Sequence, residues 1–313
     1  MNNIVLMKFG SHLYGTDTPS SDTDYKGIFM PSKEQIYLGK IPKSIHSDTK
    51  RGEGKNTKDD VDTEMFSLHY FIDLACEGQT VALDMLHAPE NMLLETSEIW
   101  QIIVANRSKF YTKNLHAFVG YARRQAAKYG IKGSRLNSAK TMLGLLNSRD
   151  SEDRLHLLWS GIKEDDYIHF LGENKNGVEQ IDVCGRTLQK THKVGYAVAI
   201  LENFVDRYGA RAEQAASNQG IDWKAVSHAI RAAFQVREIL TEGKITFPLK
   251  EAEYIKTVKA GKLDYLTEVA PKLETMIAEV EKLSKSSTLP EKVDKTYWDA
   301  FVFSVVEKHT RLV

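Results

Sequence analysis

Cysteine is scarce in this chain: two among 313 residues, Cys76 and Cys184, far apart. Neither has a metal-ligand spacing around it, and one bridge would add little to a chain of this length. Disulfide scaffolds and zinc-thiolate folds are therefore excluded, and a reducing cytoplasm is expected. Long apolar runs are also missing. No stretch approaches the ~18 residues of a membrane span, and the first residues lack a basic-then-apolar signal pattern, so no membrane association is expected. Net charge is zero, with 42 Lys+Arg against 42 Asp+Glu, which removes global attraction to nucleic acid as a signal. The charge is uneven, however. Residues 1–110 hold 11 basic and 16 acidic side chains, and residues 111–313 hold 31 and 26. No internal repeat or low-complexity linker appears. At 42% hydrophobic residues the chain can build one large core or two ordinary ones.

The sequence is richest in signal near its start. Residues 3–9, Asn-Ile-Val-Leu-Met-Lys-Phe, are short and mostly apolar and predict a buried strand. Gly10 permits a tight turn, and Ser11 is placed to N-cap a short helix starting at His12. Backbone N–H groups and a hydroxyl at such a turn suit phosphate. Asp22 and Asp24 follow. In a strand, that spacing puts both carboxylates on one face. Two such carboxylates repel one another unless a divalent cation neutralises them, and Mg²⁺ favours a few carboxylates together with phosphate oxygens. A phosphate-binding turn before an aspartate pair describes a nucleoside-triphosphate site.

Gly10, Ser11, Tyr14, Gly15, Thr16, Ser21, Asp22, Asp24 and Gly27 together resemble the signature of the DNA polymerase β superfamily of nucleotidyltransferases. The closer resemblance is to the predicted nucleotidyltransferases associated with RNA repair, phage-type members included, in which an Arg is common where His12 stands. The resemblance implies an α+β nucleotidyltransferase domain with a mixed sheet. It implies Mg²⁺ as cofactor, two ions with Mn²⁺ as a substitute. Gly10, Ser11, Tyr14 and Gly15 then belong to the nucleotide site. A third metal-binding carboxylate is expected on a later strand. Val61-Asp62-Thr63-Glu64-Met65-Phe66 reads as that strand, with Asp62 and Glu64 on one face. In the relatives the acid lies just ahead of a Ser-Leu-x-x-Phe helix, here Ser67 to Phe71. That registration favours Asp62 and leaves Glu64 open.

Taken in order, residues 26–30 predict a strand and 32–38 a short helix. Residues 39–60 read as polar, with a charged, glycine-flanked loop at 50–55. Helices are expected over 67–77, 80–86 and 97–110. Residues 78–86 resemble a core segment of the phage-type relatives and read as packing rather than chemistry. From 113 onward helices are expected at about 113–129, 134–148, 194–208, 222–242, 250–259, 263–284 and 296–310. Residues 167–171 and 180–184 flank an Asn-Gly turn and predict a β-hairpin. The expected division is a catalytic domain over 1–110 and a mainly helical, substrate-binding domain over 111–313, with the hairpin near 167–184.

Two basic stretches bear on function. Arg123, Arg124, Lys128, Lys132 and Arg135 fall within thirteen positions. Lys224, His228 and Arg231 are spaced i, i+4, i+7 and so share a helix face opposite Val226, Ala229 and Ile230. The relatives carry a similar Lys-x-x-x-His-x-x-Arg pattern after a Tyr-Gly-x-Arg segment, here Tyr208, Gly209 and Arg211. Lys224, His228 and Arg231 are therefore expected to contact the nucleotide. The expected enzyme is a nucleotidyltransferase of the EC 2.7.7 type that binds ATP or another nucleoside triphosphate. Asp22, Asp24 and Asp62 hold the metal, and the acceptor is a hydroxyl at an RNA 3′ end, of a tRNA or of a damaged RNA. A protein side chain as acceptor, in a toxin–antitoxin-like or defence setting, and a catalytically silent nucleotide- or RNA-binding module are the rival readings.

Overall fold

The computed structural model describes residues 2–49, 59–113 and 133–311; of 133–135 and 208–216 it describes the backbone alone. The chain is α+β, with a mixed sheet near its start, a second small sheet, and helices making up most of the rest. It divides into two units. The first takes residues 1–126, 222–263 and 271–313, and the second takes 127–221 and 264–270.

The first unit is built on β1 (Asn2–Lys8), β2 (Thr23–Met30), β3 (Ser44–Asp48), β4 (Val61–Ser67) and β5 (Leu93–Glu95), in the order β3-β4-β2-β1-β5. β2 and β4 run parallel; the other pairs are antiparallel. β3 lies where a polar loop was expected. Its sequence, Ser-Ile-His-Ser-Asp, has one apolar residue and carries little strand signal, and pairing with β4 decides its conformation. β2 and β4 are each divided along their length. Their first halves are half-exposed and carry the acids, whereas Ile28, Phe29, Met30, Met65 and Phe66 are buried. The core they enter includes Val5, Met7 and Leu13 with α3 (Leu68–Cys76) and α4 (Thr80–Leu86).

Between β1 and β2 lies α1 (Gly10–Tyr14), and α2 (Lys33–Tyr37) follows β2. α5 (Glu98–Ala105) and a 3₁₀ turn at Arg107–Phe110 come next, two short elements where one helix was expected. Later parts of the same unit are α8 (Trp223–Glu242), α9 (Ala252–Lys259), most of α10 (Ala270–Ser286) and α11 (Lys295–Arg311). α8 is capped by the Asp222 side chain at its start and by left-handed Gly243 at its end. α11 is fastened by a Trp298–Phe110 ring stack with centroids 3.9 Å apart.

The second unit has α6 (Gly133–Leu146), α7 (Val194–Ala216) and a sheet of β6 (Ile168–Glu173), β7 (Glu179–Val183) and β8 (Arg186–Gln189). The expected hairpin is present, and β8 extends it to three strands. Cys184 and Gly185 both have positive φ, 55° and 77°, and so form the two-residue turn into β8. Ala139, Met142, Ile181, Val183, Leu188, Val194, Leu201 and their neighbours form this unit's own core. The segment expected as one helix over 263–284 starts as a π-helical turn, Tyr265–Val269, and Asp264 caps it. The charged loop at 50–55, the helix expected over 113–129 and the basic residues Arg123, Arg124, Lys128 and Lys132 lie outside the described residues. So do the side chains of Arg135, Tyr208 and Arg211.

Candidate active site

The turn after β1 seats an aspartate. Gly10 has φ +61°, and a Cβ added there would stand 1.9 Å from Asp24 Oδ2. The Phe9 N–H donates to the Asp24 carbonyl at 2.8 Å, which ties the turn to β2. Left-handed Gly10 also lets α1 begin earlier than expected. Phe9, not Ser11, occupies the cap position, and it makes no side-chain cap bond. Ser11 therefore lies inside the helix, and its Oγ is buried without a hydrogen-bond partner. Gly15 closes α1 in the left-handed conformation, where a Cβ would meet Pro248 Cβ at 2.7 Å. Gly15 is thus a packing point of α1, outside the lining of the cavity described below.

Strand register settles the neighbours of Asp24. It is paired directly with Asp62 across the parallel β2–β4 ladder, and one step further in Lys26 is paired with Glu64. Glu64 is already satisfied: Lys26 Nζ lies 2.5 Å from it and His46 Nε2 2.9 Å. Among the described residues Asp62 carries no such ion pair, and it lines the cavity with Asp22 and Asp24. Burial raises the Asp24 pKa first of all, and Asp22 and Asp62 raise it further, against Lys26 and Lys224.

These residues line a cavity of about 340 Å³, the size of a nucleotide-scale ligand site. Phe9, Gly10, Ser11, Tyr14 and Thr16 form one wall with Asp22, Asp24, Lys26 and Asp62. Lys224, His228 and Arg231 of α8 line it too, with Lys259 from the last turn of α9. The three α8 residues thus share a cavity with the aspartates, although their chemistry differs from a row of three cations. His228 is largely buried, and burial, with Arg231, Lys224 and Lys259 near it, lowers its pKa to about 4. It is neutral near pH 7. Arg231 is spent on Asp84: its Nη1 donates to Asp84 Oδ2 at 2.8 Å. Its guanidinium lies 3.9 Å from the centroid of the Tyr14 ring. Burial opposes its charge, yet Tyr14 and Asp84 hold its pKa above the ordinary value. The Tyr14 hydroxyl also donates to Asp84 Oδ2, at 2.8 Å, and Gln235 Nε2 donates to Oδ1 at 2.7 Å. Burial of that hydroxyl, foremost, raises its pKa well above the usual tyrosine value. Among the described residues, Lys224 and Lys259 carry no salt bridge.

Asp84 was missed as a site residue because its segment reads as core. The signal was available: a single acid inside Val-Ala-Leu-Asp-Met-Leu must find a partner when it is buried. Lys259 was missed because an isolated lysine at the end of a helix is usually solvated.

A divalent cation can be tested against these side chains. Asp22, Asp24 and Asp62 offer carboxylate oxygens alone, the donor chemistry of Mg²⁺ rather than of a thiophilic metal. Asp24 is desolvated beside two like charges, which a cation would relieve. Among the described residues, no group of three His, Cys, Asp or Glu is converged to ligating geometry. The carboxylates fit the ion in chemistry.

The comparisons with known proteins agree with this geometry. The RNA repair pathway DNA polymerase beta family, RlaP, matches residues 3–146. An "Uncharacterized 38.9 kDa protein in nrdC-mobD intergenic region" of Enterobacteria phage T4 is 38% identical over 332 aligned positions, covering 99% of this chain and 98% of that protein. No solved structure matches the chain. With the signature seated at Asp24 and a full-length relative at that identity, the chain belongs to the RNA repair pathway DNA polymerase beta family.

Proposed function

We propose that the protein is a Mg²⁺-dependent nucleotidyltransferase that moves a nucleoside monophosphate from a nucleoside triphosphate to the 3′ hydroxyl of an RNA. The observation that carries this reading is the direct opposition of Asp24 and Asp62 on β2 and β4, in one cavity with Ser11, Lys224 and Lys259. Asp22, Asp24 and Asp62 would hold the metal. When bound, Mg²⁺ supplies charge neutralisation at the phosphates and lowers the pKa of the acceptor hydroxyl. Lys224 and Lys259, which carry no salt bridge among the described residues, bring positive charge to the triphosphate, and Ser11 brings a hydroxyl. His228, being neutral, offers one donor and one acceptor nitrogen to a ribose or base edge. The acceptor oxygen forms a bond to the α-phosphorus, the bond to the β-phosphate bridge breaks, and pyrophosphate leaves with its electron pair. The hydroxyl proton passes to solvent. Catalysis rests on positioning and electrostatics. RNA as acceptor is supported by the family's description, and a reducing cytoplasm suits two cysteines that form no disulfide.

The test is incubation of the full chain with each labelled triphosphate, Mg²⁺ and total cellular RNA, followed by sizing of the products. Label in RNA, lost with Asp24→Asn, is the expected result. Label that migrates with protein would transfer the activity to a side-chain acceptor. No label with any triphosphate would overturn the reading.

A further inference from the structure

The site reading leaves Asp84 without a task, although the fold commits a great deal to it. It is fully buried on α4 and receives three hydrogen bonds, from Tyr14, Arg231 and Gln235. Buried ion pairs of this kind are often no more stable than well-packed apolar residues of the same volume, so stability alone does not explain one. Two of these three donors, Tyr14 and Arg231, line the cavity that also carries Lys224 and Lys259, whereas Asp84 does not. Asp84 therefore fixes the guanidinium from outside the lining, and a guanidinium held in the wall beside two lysines is placed for an anionic oxygen.

We propose that Asp84 is a positioning residue of the triphosphate site. By binding Arg231 Nη1 and the Tyr14 hydroxyl together, it lays the guanidinium on the Tyr14 ring and holds both side chains in the cavity wall, where the guanidinium meets a phosphate oxygen. This rests on the reading of the cavity as a triphosphate site. Asp84 does not touch the ligand. It converts Arg231 from a mobile cation, whose charge it cancels, into an oriented donor. The signature tyrosine then serves as the surface on which that donor rests. The arrangement also explains why a neutralised arginine is useful beside Lys224 and Lys259: the lysines supply charge and Arg231 supplies direction.

The experiment measures binding of inorganic tripolyphosphate and of ATP to the full chain by calorimetry, with Mg²⁺, at a temperature well below every variant's melting point. Wild type, Asp84→Asn, Arg231→Gln, Tyr14→Phe and the Asp84→Asn/Arg231→Gln double variant are compared. Asp84→Asn and Arg231→Gln should each weaken tripolyphosphate binding by about tenfold, the scale of one charge-assisted hydrogen bond. The double variant should be no weaker than Arg231→Gln alone, because Asp84 acts only through Arg231. Tyr14→Phe should weaken binding by a few-fold. If Asp84→Asn binds within twofold of wild type while melting earlier, Asp84 is structural and the proposal fails. Should Asp84→Asn not fold, Arg231→Gln decides, and unchanged binding there overturns the proposal. Failure of wild type to bind either probe would instead overturn the site reading, and this inference with it.

Discussion

Asp24 at the start of β2 and Asp84 in the middle of α4 are both drawn away from water, and the surroundings of the two differ. Asp84 has a guanidinium, a phenol and an amide around it, so its charge is compensated within the protein. Asp24 has two further carboxylates near it, and only Lys26 and Lys224 act in the other direction. At α4 the protein supplies every partner; at the sheet end, among the described residues, Asp24 is opposed only by Lys26 and Lys224. A fold that can surround one buried acid with three donors is able to do the same for a second. Where it does not, compensation is left to something that binds.

Substitutions should separate the two regions. The largest effect is expected at the sheet end. Asp24→Asn should lower turnover by roughly 10³-fold or more, the scale of losing a main electrostatic element of a site. Its melting temperature should stay level or rise, because a like charge is removed. Single-turnover rates and thermal melts check both halves, and near-normal turnover would break the comparison at its root. At the other region the pattern reverses. Asp84→Ala should cost about 3–5 kcal/mol of stability, since it strands the Arg231 charge in the interior. Urea unfolding measures this, and a loss no larger than that of Asp24→Ala would show that the pair is not compensating.

Acid should sharpen the contrast further. The pKa of His228, and that of His87 on the same unit, is lowered to about 4, by burial first in both cases. Their ordinary value is near 6.5, so the unfolded chain takes up protons first as pH falls. Stability present above pH 6.5 is lost progressively toward pH 4, by up to about 3 kcal/mol per histidine. Asp24 has the opposite sign. Its raised pKa makes the folded state the better proton acceptor, so its repulsion fades as pH falls. Unfolding curves between pH 7.5 and 4.5 should slope less in His228→Gln than in wild type. An unchanged slope would mean that this histidine is not buried in its neutral form.

Smaller effects follow. Lys259→Ala should weaken triphosphate binding by about tenfold with thermal stability nearly unchanged, because among the described residues the lysine has no salt bridge to lose. Glu64→Ala should leave turnover within a few-fold of wild type and cost less than ~1 kcal/mol, as its ion pairs are partly solvated. Asp62→Ala is the matched comparison and should reduce turnover far more. Reversal of that order would move the third carboxylate one register step into the sheet.

The sequence carried the sheet end well. Gly10, Ser11, Asp22 and Asp24 are close in the chain, and their residue types state their constraint: a glycine where a Cβ would strike a carboxylate, acids at strand spacing. It carried the choice between Asp62 and Glu64 poorly, because alternation puts both on one face. Only the cross-strand partners, Asp24 for one and Lys26 for the other, distinguish them. β3 was hidden by its polar composition. β8 was hidden because Cys184-Gly185 makes a left-handed turn that Asn-Gly usually advertises. Amphipathic spacing found the open face of α8, but spacing says nothing of what each side chain meets there. The neutral state of His228 comes from burial and then from Arg231 and Lys224 on its own helix, and the capture of Arg231 comes from α4, 147 positions away in the chain.

The bond between Asp84 and Arg231 spans 147 positions, and that distance is also an interval of time during synthesis. A ribosome adding about 5–20 residues per second needs roughly 7–30 s to pass from one to the other. Through that interval α4 holds an acid that it cannot bury, so the N-terminal sheet waits for a helix made well over a hundred residues later. The same holds for truncation. A fragment ending near residue 146, where the family match ends, keeps the whole signature and lacks the cation that lets α4 settle. Such a fragment should be harder to obtain folded than its self-sufficient sequence motif suggests.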